Sequence, residues 1–191
     1  MRPAAACVAV AVLATSPAAA AGGVVREVAA GVLLHDSSYF SDYNEDGVDL
    51  AVEAVFRRPN WRAWRWLLSP YPMIGADINL VGDTSFAYAG LRWEVEPSDR
   101  LLVAGALGLA AHTGRLERSE EACRVDNCGF GSRATIYIAA EIGWRLDERN
   151  AVALVVDHIS HAGWFAEQNE GVDNIGVRWR YRLGAGAPSP G

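Results

Sequence analysis

The chain has 191 residues, with 17 basic and 23 acidic side chains and a net charge of −6. Its basic residues are all Arg, in no long block, so the electrostatic footprint of a nucleic-acid binder is missing. Hydrophobic residues make up 51% and mean hydropathy is slightly positive. Beyond the N-terminus, however, no apolar run reaches the roughly 18 residues of a spanning helix, which excludes a helical membrane protein. The apolar content is also too high for a disordered chain.

Residues 1–21 read as a secretory signal peptide. Met1-Arg2 supplies a positive start, Ala4 to Leu13 a short apolar stretch, and Ala18-Ala19-Ala20-Ala21 small residues for cleavage. Cys7 falls within this leader. Cys123 and Cys128 remain, and an even pair in an exported chain suggests one local disulfide stapling a polar loop. With no His or second Cys pair nearby, a metal there is the weaker reading, and none is expected.

Period-two alternation then predicts eight short strands, at 24–35, 48–58, 73–82, 85–96, 100–113, 134–146, 151–161 and 172–183. In the second, Leu50, Val52, Ala54 and Phe56 share one face and Asp49 and Glu53 the other. In the last, Ile175, Val177, Trp179, Tyr181 and Leu183 oppose Arg178, Arg180 and Arg182. A soluble barrel and a membrane barrel both alternate, with opposite faces wet. Three features favour the membrane form. The strand count is even, and the strands have the length for a tilted crossing. Trp93, Trp144, Trp179 and Tyr181 sit toward strand ends on the apolar face, as an aromatic girdle would. Connections also alternate in length, with outer loops at 36–47, 83–84, 114–133 and 162–171 and inner turns at 59–72, 97–99 and 147–150. The long inner turn 59–72, with Trp61, Trp64 and Trp66, reads as an interfacial segment.

The fold expected is all-β, an eight-stranded antiparallel transmembrane β-barrel over 22–183, followed by a disordered tail at 184–191. Side chains fill so small a barrel, so a pore is not expected. Asp49, Glu53, Asp77, Arg92, Glu94, Glu141, Arg145, Arg178, Arg180 and Arg182 would make a paired polar plug. Asp42-Tyr43-Asn44-Glu45-Asp46-Gly47 with Glu53 fits the spacing of a calcium loop. Its flanks are strand-like, so it reads as an acidic outer loop. His35 and His112 read as rim or interior residues.

The chemistry concentrates in residues 157–174. The parity that sends Val152, Leu154 and Val156 toward lipid continues to His158 and Ser160. In the next strand Asp173 shares parity with Ile175 and Val177. An imidazole, a hydroxyl and a carboxylate thus project from the apolar wall near the outer rim. Polar groups there are costly unless paired. The set is what an activated serine needs: Ser160 as nucleophile, His158 as base and Asp173 to orient the imidazole. Gly163 through its backbone and Asn169 through its side-chain amide could bind the oxyanion. The competing reading makes His158 and Ser160 members of a rim girdle bonded to headgroups.

The run His158-Ile159-Ser160-His161-Ala162-Gly163, followed by Asn169-Glu170-Gly171-Val172-Asp173, resembles the signature of the outer-membrane lipid A 3-O-deacylases of the PagL type. The stretches Pro72 to Asn79, Gly82 to Ser85 and Tyr88 to Leu91 are also similar to that family. The resemblance implies an eight-stranded outer-membrane barrel that removes the ester-linked acyl chain at position 3 of lipid A, without a cofactor. It carries the family's His and Ser onto His158 and Ser160, and its oxyanion Gly and Asn onto Gly163 and Asn169. Two positions depart from the family. Its acid is Glu, where this chain has Asp173 one residue later. The residue after the Ser is usually Asn, and here it is His161, whose parity points away from lipid. Lipopolysaccharide in the outer membrane is the expected partner, nucleic acid is not, and a homodimer is left open. The alternative function is a non-catalytic outer-membrane barrel that acts as envelope structure or through its loops. A lipocalin-like binder is disfavoured by the three inward Arg of the last strand.

Overall fold

The structure, a computed structural model, describes residues 23–37, 45–117, 129–166 and 170–183. The leader 1–21, residues 42–44 of the calcium-like loop, Cys123, Cys128, Asn169 and the tail 184–191 lie outside the described residues.

Alternation builds eight strands: β1 (Val25–Leu34), β2 (Val48–Phe56), β3 (Tyr71–Asn79), β4 (Phe86–Val95), β5 (Leu101–His112), β6 (Ala134–Arg145), β7 (Asn150–Ser160) and β8 (Val172–Arg182). Each pairs antiparallel with its neighbours in sequence, and β1 pairs with β8 to close the barrel. Closure leaves no open edge, so every strand's backbone is satisfied within the sheet. All eight expected strands are present. β3 starts two residues earlier than its alternation suggested, because Tyr71 and Pro72 pair with Arg92 and Leu91 of β4. Four connections meet at one end, here the loop end: 35–47, 80–85, 113–133 and 161–171. At the opposite turn end lie 57–70, 96–100 and 146–149. Trp61 and the 3₁₀ segment Arg62–Leu67 occupy the first of these turns.

The outward face is an exposed apolar belt that includes Val32, Val52, Ile74, Ile78, Leu107, Ile138, Ile142, Leu154 and Val177. A continuous belt of this kind suits hydrocarbon rather than water. The lumen holds two layers. In one, Arg180 bonds Glu27, Glu53 and Glu141, and Arg178 bonds Glu53, Asp77 and Asp157. Arg92 reaches Glu141 and Glu94, while Glu94 also takes Arg26 and Arg182. Arg145 pairs with Glu96 at the rim. Buried charges persist only when their partners offset the desolvation cost, and here each Arg meets carboxylates.

The second layer corrects the expectation of a polar interior throughout. Phe86, Tyr88, Tyr137, Phe130, Met73, Val55, Ile159 and Val172 form an apolar cluster inside the barrel. Tyr88 and Tyr137 stack at 3.9 Å with their rings 5° from parallel. Inward positions can be apolar because the narrow lumen is packed rather than wet. Glu53, the twelfth position of the calcium-like pattern, is committed to Arg178, Arg180 and Tyr88 inside the barrel.

Candidate active site

β7 and β8 are consecutive antiparallel neighbours whose register sets His158 directly opposite Asp173. Cross-strand partners on one face have Cβ atoms about 5 Å apart, within reach of a ring and a short carboxylate. Ser160 follows His158 on the same face, two residues on. The three side chains form one line of hydrogen bonds. His158 Nδ1 lies 2.6 Å from Asp173 Oδ1, and His158 Nε2 lies 2.7 Å from Ser160 Oγ. With the ring proton on Nδ1 donated to the carboxylate, Nε2 is left to accept the Ser160 hydroxyl proton. Asp173 is fully buried beneath the ring, whereas His158 and Ser160 are half-buried and open outward. This geometry can raise the nucleophilicity of a hydroxyl and stabilise an imidazolium.

A second layer braces the backbone of Asp173. Asp36, just past β1, is fully buried with φ +45°, a left-handed conformation that Asp tolerates. Its Oδ1 accepts the Asp173 backbone N–H at 3.4 Å and its Oδ2 accepts the Glu45 N–H at 3.1 Å. The Asp36 N–H donates to Asn174 Oδ1, and Asn174 Nδ2 donates to Asp49 Oδ2. The Ser37 N–H donates to the Asp173 carbonyl. The His35 ring bridges Asp49 at 2.8 Å and Glu45 at 3.0 Å. Burial opposes a charge on His35, but its two carboxylate partners outweigh that and lift its pKa to about 9. Burial likewise pushes Glu45 up, yet bonds from His35 and Thr84 leave its pKa below the usual value.

Gly163 sits in the exposed turn after β7 with φ +74°, beside Ala162 at φ +51°. The turn is closed by the Trp164 N–H donating to the His161 carbonyl at 2.8 Å. His161 points inward, is fully buried, and donates Nε2–H to the Phe130 carbonyl at 2.6 Å. It therefore acts as a rim tether between two loops, as its parity suggested. His112 instead ties the far end of the 113–133 connection back to β5, with Nε2 at 2.8 Å from the Ser132 carbonyl.

Gly171 was not foreseen from the sequence. A Cβ at this position would meet His158 Cε1 at 2.8 Å, the Ile159 carbonyl oxygen at 3.0 Å and Ser160 Cβ at 3.3 Å. The ring needs the space that a glycine leaves. Asp36 and Asn174 were also missed. Their contacts depend on β1 closing onto β8, across 137 residues of sequence in the Asp36–Asp173 bond.

The model of the lipid A 3-O-deacylase (PagL) family matches residues 46–182, most of the chain. No curated protein sequence matches. Among solved structures, the crystal structure of the outer membrane enzyme PagL aligns with TM-score 0.57 at 15% identity, covering 82% of this chain and 99% of that one. A de novo designed transmembrane β-barrel aligns with TM-score 0.52 at 11% identity, covering 84% and 96%. At such identities these likenesses carry the fold alone, and the family model carries the family. The chain belongs to the lipid A 3-O-deacylase (PagL) family of outer-membrane ester hydrolases.

Proposed function

We propose that this chain is a serine esterase that removes the ester-linked 3-O acyl chain of lipid A in the outer leaflet of the outer membrane. The observation that carries the reading is the unbroken hydrogen-bond line from Asp173 through His158 to Ser160 on the lipid-facing wall. The orientation rests on connection lengths, since barrels of this kind keep their longer loops outside. The loop end, where β7 and β8 carry the three groups, then lies at outer-leaflet depth.

In this mechanism the Ser160 hydroxyl gives its proton to His158 Nε2 as Oγ attacks the acyl carbonyl carbon. Asp173 holds the Nδ1 proton and stabilises the imidazolium. The carbonyl oxygen becomes an oxyanion, bound by the backbone N–H of Gly163 and the side-chain amide of Asn169. Collapse breaks the ester C–O bond, and His158 Nε2–H protonates the departing sugar oxygen. The acyl chain is now esterified to Ser160. A water molecule then gives a proton to Nε2 and attacks that ester, releasing the fatty acid and restoring the hydroxyl. Each step uses only proton transfer and acyl exchange, so no cofactor is required. On the same reading residues 1–21 are the export leader, and Cys123–Cys128 is a disulfide formed in the oxidising envelope.

The test is incubation of purified protein with lipopolysaccharide and mass spectrometry of the lipid A. Wild type is expected to release one 3-hydroxy fatty acid. Ser160→Ala is expected to lose on the order of 10⁴-fold or more of this rate, with Asp173→Asn also severely impaired. Undiminished release by Ser160→Ala would refute the assignment.

A further inference from the structure

Turns at the inner end of such barrels are normally short, yet β2 and β3 are joined by fourteen residues, 57–70. This turn has an unusual composition. It carries Arg57, Arg58, Arg62 and Arg65 together with Trp61, Trp64 and Trp66, and the chain has no acidic residue between Phe56 and Asp77. All four Arg are exposed, in a protein whose net charge is −6.

The turn is also built rather than slack. Leu68 and Ser69 take left-handed conformations at φ +61° and +52°, fixed by their N–H groups donating to the carbonyls of Arg65 and Trp64. Trp64 Nε1 donates to the Pro70 carbonyl at 2.7 Å. Trp93 Nε1, from the outer wall of β4, donates to the Leu67 carbonyl at 2.8 Å and ties the turn to the lipid-facing belt. Trp66 is 87% exposed and Leu68 81%, at the edge of that belt. Trp61 and Trp64 meet edge to face at 6.3 Å. Beside them is a concave site of about 300 Å³ lined by Arg58, Asn60, Trp61, Trp64, Arg65 and Ser69. The Arg58 guanidinium stacks on the Tyr71 ring at 3.9 Å, which sets its direction.

Two guanidiniums, an amide and a hydroxyl around a space of this size suit a phosphodiester. Indole rings sit favourably at headgroup depth, and Trp66 and Leu68 reach toward the acyl region. No carboxylate in the turn could receive an ammonium, and nearby Glu94 is already taken by Arg26, Arg92 and Arg182. We infer that the 57–70 turn is a headgroup site for anionic phospholipid, of the phosphatidylglycerol type, in the leaflet opposite the proposed catalytic groups. The inference uses the barrel's orientation and does not depend on the esterase reading. A barrel so seated would be held at both faces of the bilayer, with the inner contact fixing its depth and rotation.

The test uses the full chain folded in detergent, with dioleoylphosphatidylglycerol or dioleoylphosphatidylcholine added in mixed micelles and bound lipid counted by native mass spectrometry. Wild type is expected to retain the anionic lipid selectively. Arg58→Gln/Arg65→Gln is expected to retain it roughly 30-fold less well, from about fivefold per surface Arg. Arg115→Gln, at the opposite end, is expected to behave as wild type. Trp61→Ala provides an independent variant that removes an aromatic wall, and it too is expected to weaken retention. Heat-modifiable gel mobility confirms folding of each, and deacylation in detergent is expected to persist in all. Equal retention of the two lipids by wild type, or undiminished retention by the double variant, would overturn the inference. Displacement of the lipid by an equal concentration of inorganic phosphate would overturn the lipid as ligand.

Discussion

His158 and Ser160 are polar residues at positions whose parity assigns them to hydrocarbon, and pairing with Asp173 is what makes them tolerable there. That oddity was readable from the sequence, because strand parity is a property of consecutive residues. The space around the ring was not, because it depends on which residue the next strand brings alongside. Gly171 supplies that space, and its backbone lies just outside β8. Gly171→Ala is therefore expected to leave the barrel folded while pushing the imidazole off its two partners. A displacement of about 1 Å at reacting groups costs about 10²-fold in rate, which a fatty-acid release assay would read. An alanine variant as fast as wild type would mean that the ring has room to give. The bracing of Asp173 by Asp36 was equally hidden, since nothing in the sequence pairs residues so far apart.

Alternation over ten to fourteen residues placed the strands to within a few positions, since the pattern is local and the barrel's two faces differ sharply. The connections were less legible. Residues 57–70 carry no period, and their order comes from indole hydrogen bonds and two left-handed residues. At the other end, the segment after β1 is tied down by His35 between Asp49 and Glu45, with Asn79, Thr84 and Asn174 bonded to the same carboxylates. The folded state favours protonated His35, whose pKa rises to about 9 from an ordinary value near 6.5. Its contribution to stability is accordingly complete below about pH 6.5 and is lost as pH climbs through about 9. Thermal unfolding at pH 7 and pH 10 is expected to show a larger alkaline loss in wild type than in His35→Gln. Parallel losses in the two proteins would contradict the bridge. Because the same network reaches Asp36 and Asn174, its loosening is also expected to relax the brace on Asp173.

Across the whole molecule, Arg178, Arg180 and their carboxylates share the lumen with a stacked aromatic cluster, and the His35–Asp49–Asn174 network closes the loop end. The sequence made the charges visible as inward positions but not their partners, which lie on strands as distant as β1, β2 and β6. Arg180→Met would leave Glu27, Glu53 and Glu141 short of a buried counter-charge. A loss of about 3–5 kcal/mol is expected, read as a lower urea midpoint for the folded, heat-modifiable form. A midpoint like that of wild type would show that the remaining Arg residues suffice.

The packed lumen also governs traffic. On the proposed esterase reading, the lipid-facing Ser160 takes its substrate sideways, by diffusion within the sheet of lipid around the barrel, and the released fatty acid leaves the same way. Encounter is then two-dimensional: its frequency follows the mole fraction of substrate in the surface and the fluidity of that surface, not a bulk concentration. Only the hydrolytic water comes from elsewhere, down from the aqueous rim.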